Sequence, residues 1–382
     1  MKPNAIYLDH CATTPLDPAV FEEMKPFFLG VFGNPSSAHR MGRAAKAAVS
    51  KAREQVASLV GAEPSSVVFT SGATEALNLA LRGFCSARKA GTHVVASAIE
   101  HKAVLSTLEF VAARAHGITL VKPEPDGVVA TWAFEAALGR DVGLATLMWV
   151  NNETGVMQPV PDVARLCAQR DIPFVTDATQ AVGKIPIDLG QVPIDGLALS
   201  GHKLNGPMGV GALVVSPRFR SQLEPLICGG GQEGGLRGGT LNLPGIVGLG
   251  AACALASRSL DDDARLCASL IGSLEAQVRE VVTGVSVVGA GSLRAPHCSL
   301  MKIDGVDGEA LVANLPDVMV STGSACNSHA PTPSHVLMAM GFTEDDAYST
   351  VRISVGRRTT QDEIDRAVVA LSAAISRLRA LN

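Results

Sequence analysis

The sequence predicts an α/β protein, in which helices cover both faces of a mostly parallel sheet and a smaller α+β domain follows. The 382 residues are 47% hydrophobic and 18% charged, which provides enough apolar side chains for a large buried core. Strand-like and helix-like segments alternate through the first two thirds of the chain, as they do in sheets built with crossover helices. After about residue 258, longer helical stretches and short strands replace that alternation.

Local signals define the elements of the first two thirds. Asp17 and Pro18 begin a helix that we expect to continue through Met24. An alanine-rich amphipathic helix over 43–60 is predicted to end at Gly61, and helical spacing returns over 74–84 and 163–169. Short apolar runs bounded by turn residues predict strands at 66–70, 93–97, 144–150, 173–177, 196–200 and 211–216.

The last third is predicted to contain three helices and two strands. Two helices are expected over 243–257 and 262–282, with Asp261 as the candidate cap of the second. Strands are expected at 299–303 and 351–355. The spacing of Thr360 and Glu363 forms a capping box that begins the C-terminal helix.

Composition excludes several classes of protein. The net charge of −4 and the lack of a long basic block argue against nucleic acid as the main ligand. No uninterrupted apolar run approaches the length of a membrane span, and the first residues have no signal-peptide core. Eight scattered cysteines without a Cys-x-x-Cys pair do not fit a disulfide scaffold or a zinc ribbon, so we expect no metal site and a reducing cytoplasm.

Polar residues follow the predicted strands at the points where those strands end. Because ligands of open α/β sheets bind beyond the carboxyl ends of the strands, these residues are expected to share one rim. They are 70–74, 100–101, 151–153, 177–180 and 200–203. The segment 70–74 joins a strand to a helix start, which suits either a phosphate or an ordinary capped helix. Glycine-rich loops at 229–231 and 237–240 match neither a Walker P-loop nor a dinucleotide-binding turn.

Asp177 and Lys203 together narrow the chemistry. A carboxylate at the end of a buried strand suits a helix cap, a metal ligand or a partner for a protonated ring nitrogen. A lysine usually lies on a solvated face, but Lys203 follows the next predicted strand of the same rim, where a buried lysine can form a Schiff base. A phosphate cradle, a pyridinium partner and a Schiff-base lysine are together what pyridoxal phosphate (PLP) requires.

The chain resembles the NifS/IscS-type cysteine desulfurases, which belong to the class V aminotransferases of PLP fold type I. The similarity extends nearly from end to end. The motifs that carry it are YLDHCATTP at 7–15, GNPSSAH at 33–39, TSGATE at 70–75, EHK at 100–102, NNETG at 151–155, DATQ at 177–180, SGHK at 200–203 and GSAC at 323–326. The resemblance implies a seven-stranded, mostly parallel sheet in a large PLP-binding domain over 15–258. Residues 1–14 and 259–382 would form the small domain, which carries the loop with the catalytic cysteine.

The resemblance also implies a role for each site residue. Lys203 would hold PLP, Asp177 would keep its ring nitrogen protonated, Gln180 would bind its hydroxyl and His101 would stack on its ring. Asn152 and Arg352 would bind the substrate carboxylate. The groups implied to bind the cofactor phosphate are Ala73, Thr74, Ser200, His202 and, across a homodimer interface, Thr240. Asn152 is implied to contact the cofactor as well.

Cys326 is implied to be the sulfur-accepting nucleophile. It lies in a polar, small-residue segment, whereas Cys85, Cys167, Cys253, Cys267 and Cys298 have apolar or helical settings typical of buried cysteines. Cys11 and Cys228 adjoin candidate site segments, and their roles stay open. The expected reaction converts L-cysteine to L-alanine and leaves a persulfide on Cys326, for delivery to an acceptor protein. Iron–sulfur cluster assembly, tRNA or cofactor thiolation and DNA phosphorothioation all use such a donor.

Two alternatives stay open at this point. One is another class V PLP enzyme, a selenocysteine lyase or an aminotransferase, that does not need Cys326. The other is a scaffold for sulfur-acceptor proteins with weak turnover. The sequence also departs from the family pattern at Gly238, which replaces a serine, and at Arg358, which replaces an aromatic residue. His329 and His335 are unexpected near the catalytic cysteine.

Overall fold

The computed structural model describes residues 5–88, 91–323 and 332–381. Twelve strands lie within these ranges. They are Ile6–Tyr7 (β1), Val67–Thr70 (β2), His93–Ser97 (β3), Gly117–Val121 (β4), Val142–Thr146 (β5), Phe174–Asp177 (β6), Gly196–Ser200 (β7), Gly211–Val215 (β8), Val285–Val287 (β9), Cys298–Ile303 (β10), Val318–Met319 (β11) and Thr350–Ser354 (β12).

Thirteen α-helices lie in the same described ranges. They are Pro18–Met24 (α1), Pro26–Leu29 (α2), Arg40–Leu59 (α3), Ala73–Ser86 (α4), Lys102–Ala112 (α5), Thr131–Ala137 (α6), Val160–Gln169 (α7), Pro217–Arg220 (α8), Leu243–Val281 (α9), Gly308–Ala313 (α10), His335–Ala339 (α11), Glu344–Tyr348 (α12) and Gln361–Arg379 (α13). The predicted starts of α1 at Asp17 and of α13 at the Thr360–Glu363 capping box are confirmed.

The central sheet has seven strands in the order β2-β8-β7-β6-β5-β3-β4. Strand β8 is antiparallel to both of its neighbours and the other pairings are parallel, so the predicted mostly parallel sheet is confirmed. Alternate residues of β2 enter different apolar clusters, Val67 and Phe69 on one face and Val68 on the other. Helices therefore cover both faces, and the carboxyl ends of the central strands form a common rim.

A second apolar core lies around a smaller sheet. Strands β12, β10 and β9 form an antiparallel sheet in that order, and β1 pairs with β11 in parallel. Ile6 and Leu8 join this core together with residues of α9, β10, β12 and α13. The N-terminal segment therefore packs with the last third of the chain, although the division into 15–258 and 1–14 with 259–382 stays a prediction.

The predicted break between two helices near Asp261 is wrong, because α9 is one helix of 39 residues. Its polar middle is accommodated by side-chain contacts rather than by a turn. The carboxylate of Asp263 accepts hydrogen bonds from Ser259 at 2.7 Å and from Arg357 at 2.6 Å. The helix is long and apolar enough to cross a membrane, but 56% of its most apolar window is buried inside the protein, as in a core helix.

Candidate active site

A cavity of about 590 Å³ lies beyond the carboxyl ends of the central strands. It brings together ten of the predicted site residues. They are Ala73, Thr74, His101, Asn152, Asp177, Gln180, Ser200, His202, Lys203 and Arg352. Thr240 is exposed and is not among the residues that line this cavity, and Cys326 and His329 lie outside the described residues. Cys11, Ala12 and Thr13 also line the cavity, which the strand-end argument did not predict.

One end of the cavity is formed by the start of α4. Strand β2 ends at Thr70, and Gly72 precedes the helix without any side-chain hydrogen bond that caps it. The first N–H groups of α4 and the positive end of its helix dipole therefore lie at the cavity, where they favour an anion. A Cβ on Gly211 would lie 2.6 Å from Gly72 Cα, so glycine lets strand β8 approach this turn closely.

Lys203 lies in the 3-10 turn Gly201–Lys203 that follows β7. Its Nζ donates hydrogen bonds to the carbonyl oxygens of Ala12, at 2.6 Å, and Cys11. The adjacent His202 ring contacts the Thr13 hydroxyl at 3.1 Å. Burial, together with the positive charge of Lys203, lowers the pKa of His202 to about 4, so this imidazole is neutral near pH 7.

Asp177 is buried at the end of β6, where its Oδ1 accepts the Thr179 N–H at 2.9 Å. Three residues later, the Gln180 amide donates to the Cys11 carbonyl oxygen at 2.9 Å. Two neighbouring strands, β6 and β7, thus bring Asp177 and Lys203 to the same cavity. The rim predicted from the strand ends is present in the structure.

His101 begins helix α5, and its Nδ1 accepts the Ala103 N–H at 3.0 Å. This contact leaves Nε2 as the ring nitrogen that carries the proton in the neutral form. Burial lowers the pKa of His101, and the positive charge of Lys203 acts in the same direction while Asp177 opposes it. The ring is therefore a neutral, flat group at the cavity wall.

Arg352 lies on β12 of the smaller sheet and is nearly fully buried, with 5% of its side chain exposed. Its guanidinium donates to Asp9 at 2.9 Å, to Ser321 at 2.7 Å and to the Asn152 carbonyl oxygen at 2.9 Å. Its Nε is buried and has no hydrogen-bond partner among the described residues. Because Arg352 lines the cavity, its guanidinium brings a positive charge to the cavity wall, which favours an anionic ligand.

Two carboxyl groups of the predicted rim, Glu100 and Glu153, are buried beside the cavity, and the sequence did not predict this burial or a role for either. Burial raises the pKa of Glu100 to about 8, and its Oε1 accepts hydrogen bonds from Ser97 at 2.6 Å and from the Met148 N–H at 2.8 Å. Burial likewise raises the pKa of Glu153 to about 7. The motifs EHK and NNETG contain these residues, but only the structure shows that both side chains turn inward.

Glu153 touches both sides of the segment that contains Cys326. The Ser334 hydroxyl donates to Glu153 Oε2 at 2.5 Å, and a Cβ on Gly323 would lie 2.8 Å from the same oxygen. Gly323 and Ser334 therefore both lie next to one buried carboxyl group. His335, whose role the sequence left open, lies with its Nε2 3.0 Å from the Glu100 carbonyl oxygen.

Comparisons with known proteins identify the family and the fold of the chain. The class-V aminotransferase family model matches residues 6–367. The chain is 43% identical to the cysteine desulfurase IscS of Proteus mirabilis strain HI4320, over 99% of this chain and 94% of that protein. It is 42% identical to a cysteine desulfurase of Rattus norvegicus, over 99% of this chain and 84% of that protein. A solved NifS-like protein superposes with a TM-score of 0.91 at 34% identity and covers 97% of this chain and 99% of its own.

The fold and the site define a PLP-dependent enzyme of fold type I, as the sequence predicted. The chain belongs to the class V aminotransferase family. The cavity fits the cofactor of that family. The start of helix α4, which has no side-chain cap, lies at one end of the cavity, and a lysine, a buried aspartate and a buried arginine also line it. Among the described residues no cluster of side chains is suited to a metal ion.

Proposed function

We propose that this PLP-dependent cysteine desulfurase transfers the sulfur of L-cysteine to Cys326 and then to an acceptor protein. The observation that carries the proposal is the meeting of Lys203, Asp177 and Arg352 in one cavity, on a chain 42–43% identical to cysteine desulfurases. Lysine and aspartate are the groups that anchor and tune PLP, whereas arginine binds a carboxylate. Together they provide for an amino-acid substrate.

The residues of the rim would hold the cofactor. The start of α4, Thr74, Ser200 and the neutral His202 would bind its phosphate, and Lys203 would be its covalent anchor. The Asp177 carboxylate would keep a proton on the ring nitrogen, and Gln180 would donate to the ring hydroxyl. When bound, PLP supplies an electron-accepting ring that stabilises negative charge at the substrate α-carbon. The neutral His101 ring would pack against that ring.

Arg352 and Asn152 would orient the substrate. The Arg352 guanidinium lines the cavity and would bind the substrate carboxylate, while its contacts to Asp9 and Ser321 fix the group in place. Because the Asn152 carbonyl accepts one of those contacts, the backbone of Asn152 and the arginine are held together. A carboxylate bound there would leave the substrate α-carbon on the side of Lys203, whose amine would remove the α-proton.

Cys326 would supply the nucleophile. Its thiolate would attack the sulfur of the substrate, a new S–S bond would form and the carbon–sulfur bond would break. The electron pair of that bond passes to the substrate carbon skeleton, and two proton transfers to carbon complete L-alanine. The persulfide sulfur on Cys326 is then attacked by a thiolate of the acceptor protein, which restores the Cys326 thiolate.

The partners and location are part of the same proposal. Thr240 is exposed in a loop next to the Arg237–Glu75 ion pair, whose nitrogen and oxygen are 2.9 Å apart. This position supports a contact from Thr240 to a second subunit's cofactor site, hence a homodimer, and sedimentation of a fully active monomer would contradict it.

The described cysteines are all unbridged thiols, which supports a reducing, cytoplasmic setting; a fractionation that finds the chain elsewhere would overturn this.

The test is the variant Cys326→Ser, with Cys228→Ser, an exposed cysteine, as the matched control. Cys326→Ser should bind PLP and L-cysteine, because Lys203, Asp177 and Arg352 are unchanged. Alanine and sulfide release should fall by several powers of ten, since a serine hydroxyl is not ionised near neutral pH. The readouts are near-visible absorbance, alanine and sulfide.

Full alanine and sulfide release by Cys326→Ser would overturn the proposal. A keto acid as the product of the unsubstituted enzyme would indicate an aminotransferase instead. Absence of cofactor absorbance, together with sulfur transfer only from added persulfide, would indicate a scaffold.

A further inference from the structure

Cys11 and Cys298 meet below the cavity, although 287 positions separate them in the sequence. Ser354 of β12 brings them together: it is the register partner of Cys298 on β10, and its hydroxyl accepts the Cys11 N–H at 2.8 Å. Each thiol is the largest influence on the pKa of the other, as expected of neighbouring side chains. Cys298 Sγ also lies 3.6 Å from the Glu153 carbonyl oxygen. The pair thus joins the N-terminal segment to the smaller sheet.

Cys11 differs from the other buried cysteines in its surroundings. Its residue lines the cavity, and its carbonyl oxygen accepts hydrogen bonds from Lys203 and Gln180. The Cys298 thiol lowers the pKa of Cys11 well below its ordinary value, with help from His297 and Arg352, although burial acts against this. The Cys11 thiol is therefore more readily ionised than an ordinary cysteine, and it belongs to a residue that lines the cavity.

The remaining buried cysteines provide the contrast. Burial raises the pKa of Cys167 and of Cys253 to about 12, and that of Cys85 to about 11. Each is surrounded mainly by apolar residues of the large cores. Such thiols are inert toward oxidants, because the thiolate and not the thiol is the nucleophile.

We propose that Cys11 and Cys298 form a redox-active dithiol that reacts with small peroxides at the floor of the cavity. The Cys11 thiolate attacks one peroxide oxygen, the O–O bond breaks and the second oxygen leaves as water after taking up a proton. The Cys298 thiol then attacks the sulfur of the Cys11 sulfenic acid, and a second water leaves. The peroxide gains two electrons, the two thiols lose two electrons, and one disulfide forms.

The disulfide would change the site without removing any of its side chains. The carbonyl oxygens of residues 11 and 12 accept hydrogen bonds from the Lys203 ammonium group, and the disulfide would link this segment covalently to strand β10. It would also remove the ionisable thiol near Arg352. The proposal goes beyond the sulfur-transfer function, and its test uses no turnover. The failure of either can therefore be distinguished from the failure of the other.

The experiment treats the PLP-loaded full-length enzyme with hydrogen peroxide, blocks remaining thiols by alkylation under denaturing conditions, and maps them by peptide mass. Cys326 is replaced by serine throughout, so that its own oxidation does not enter the result. The expected product is a Cys11–Cys298 cross-linked peptide that has lost two hydrogens and separates on reduction. Cys298→Ser should stop at a sulfenic acid on Cys11 that a dimedone probe traps, and Cys11→Ser should leave Cys298 alkylated.

Cys228→Ser serves as the control, because it removes an exposed thiol and should leave the cross-link unchanged. Recovery of both Cys11 and Cys298 as alkylated thiols after peroxide treatment would overturn the proposal. So would oxidation of Cys11 to a sulfinic acid without a cross-link, or a disulfide from Cys11 to any other cysteine. The peptide mapping of the Cys326→Ser protein, in which Cys11 and Cys298 are both present, decides the question by itself. The proposal can therefore be tested even if the variants at Cys11 or Cys298 fold poorly.

Discussion

The two sides of the cavity are built in different ways. The side proposed for the cofactor comes from neighbouring elements of one sheet: the turn before α4, Asp177 after β6 and Lys203 after β7. The side proposed for the substrate carboxylate comes from distant parts of the chain, since Arg352 contacts Asp9, Asn152 and Ser321. The first side is organised by backbone topology, and the second by one buried cation and its oxygen partners.

This difference teaches where each side is vulnerable. Strand ends stay in place when a single side chain is altered, because a hydrogen-bonded sheet holds them. A buried ion pair depends on both of its members, since removal of one leaves the other charged and desolvated. Substitutions on the first side should therefore change chemistry with little effect on folding, whereas substitutions on the second side should change both.

The largest effect is expected for Lys203→Ala. Loss of the amine removes both the covalent anchor and the proposed base, so cysteine-dependent alanine formation and near-visible absorbance should both disappear. Thermal unfolding should change little. The control is Lys122→Ala, an exposed lysine. Retained absorbance with normal alanine formation in Lys203→Ala would show that Lys203 is neither the covalent anchor nor the base. The proposed difference between the cofactor side and the carboxylate side of the cavity would then be wrong.

A smaller but still large effect is expected for Arg352→Lys. An ammonium group cannot reproduce the forked contacts to Asp9, Ser321 and Asn152, so the KM for L-cysteine should rise about 100-fold. Stability should fall by about 1–2 kcal/mol, because the buried hydrogen bonds to Ser321 and to the Asn152 carbonyl oxygen are lost while the positive charge is kept. Steady-state kinetics and urea unfolding measure the two effects. An unchanged KM with reduced stability would mean that Arg352 only joins the segments and does not bind substrate.

The smallest effect on turnover is expected for Glu153→Gln, which should change the pH dependence of stability. The folded protein keeps the Glu153 proton up to a pKa of about 7, whereas the unfolded chain releases it near 4.5. Between these values the native state binds the additional proton, so stability falls as the pH rises. Over that range the parent protein should lose about 3 kcal/mol more stability than Glu153→Gln does.

Urea unfolding at several pH values measures this difference, and Glu109→Gln, at an exposed position, is the control. Parallel stability curves for Glu153→Gln and the parent protein would show that Glu153 is ionised in the folded state. The surroundings of Glu153 would then stabilise a negative charge in spite of its burial.

The same difference explains what the sequence could and could not predict. Asp177 and Lys203 were placed at one rim because parallel strands align their carboxyl ends, and that rule needs only strand positions. Arg352 was placed by resemblance alone, since a residue on β12 reaches the cavity only through the packing of two sheets. The inward turn of Glu153 and the meeting of Cys11 with Cys298 depend on contacts between remote segments, for which one sequence contains no signal.

The error in α9 has a physical cause as well. Asp261 suggested the cap of a second helix, because an aspartate side chain competes for backbone N–H groups. In the structure Asp263 instead bonds Ser259 and Arg357, so its carboxylate is satisfied without ending the helix. Strands β6 and β7, by contrast, were predicted within one residue, because their apolar runs are short and bounded by turns.

The continuity of α9 has a mechanical consequence. At 39 residues it is about 58 Å long, and its first half packs in the core of the large sheet while its second half packs in the core of the small sheet. A hinge motion between the two cores would have to bend or break α9, because buried residues of this helix lie in both cores. The two cores, with Lys203 beside the first and Arg352 on a strand of the second, are thus joined by one continuous helix as well as by the walls of the cavity.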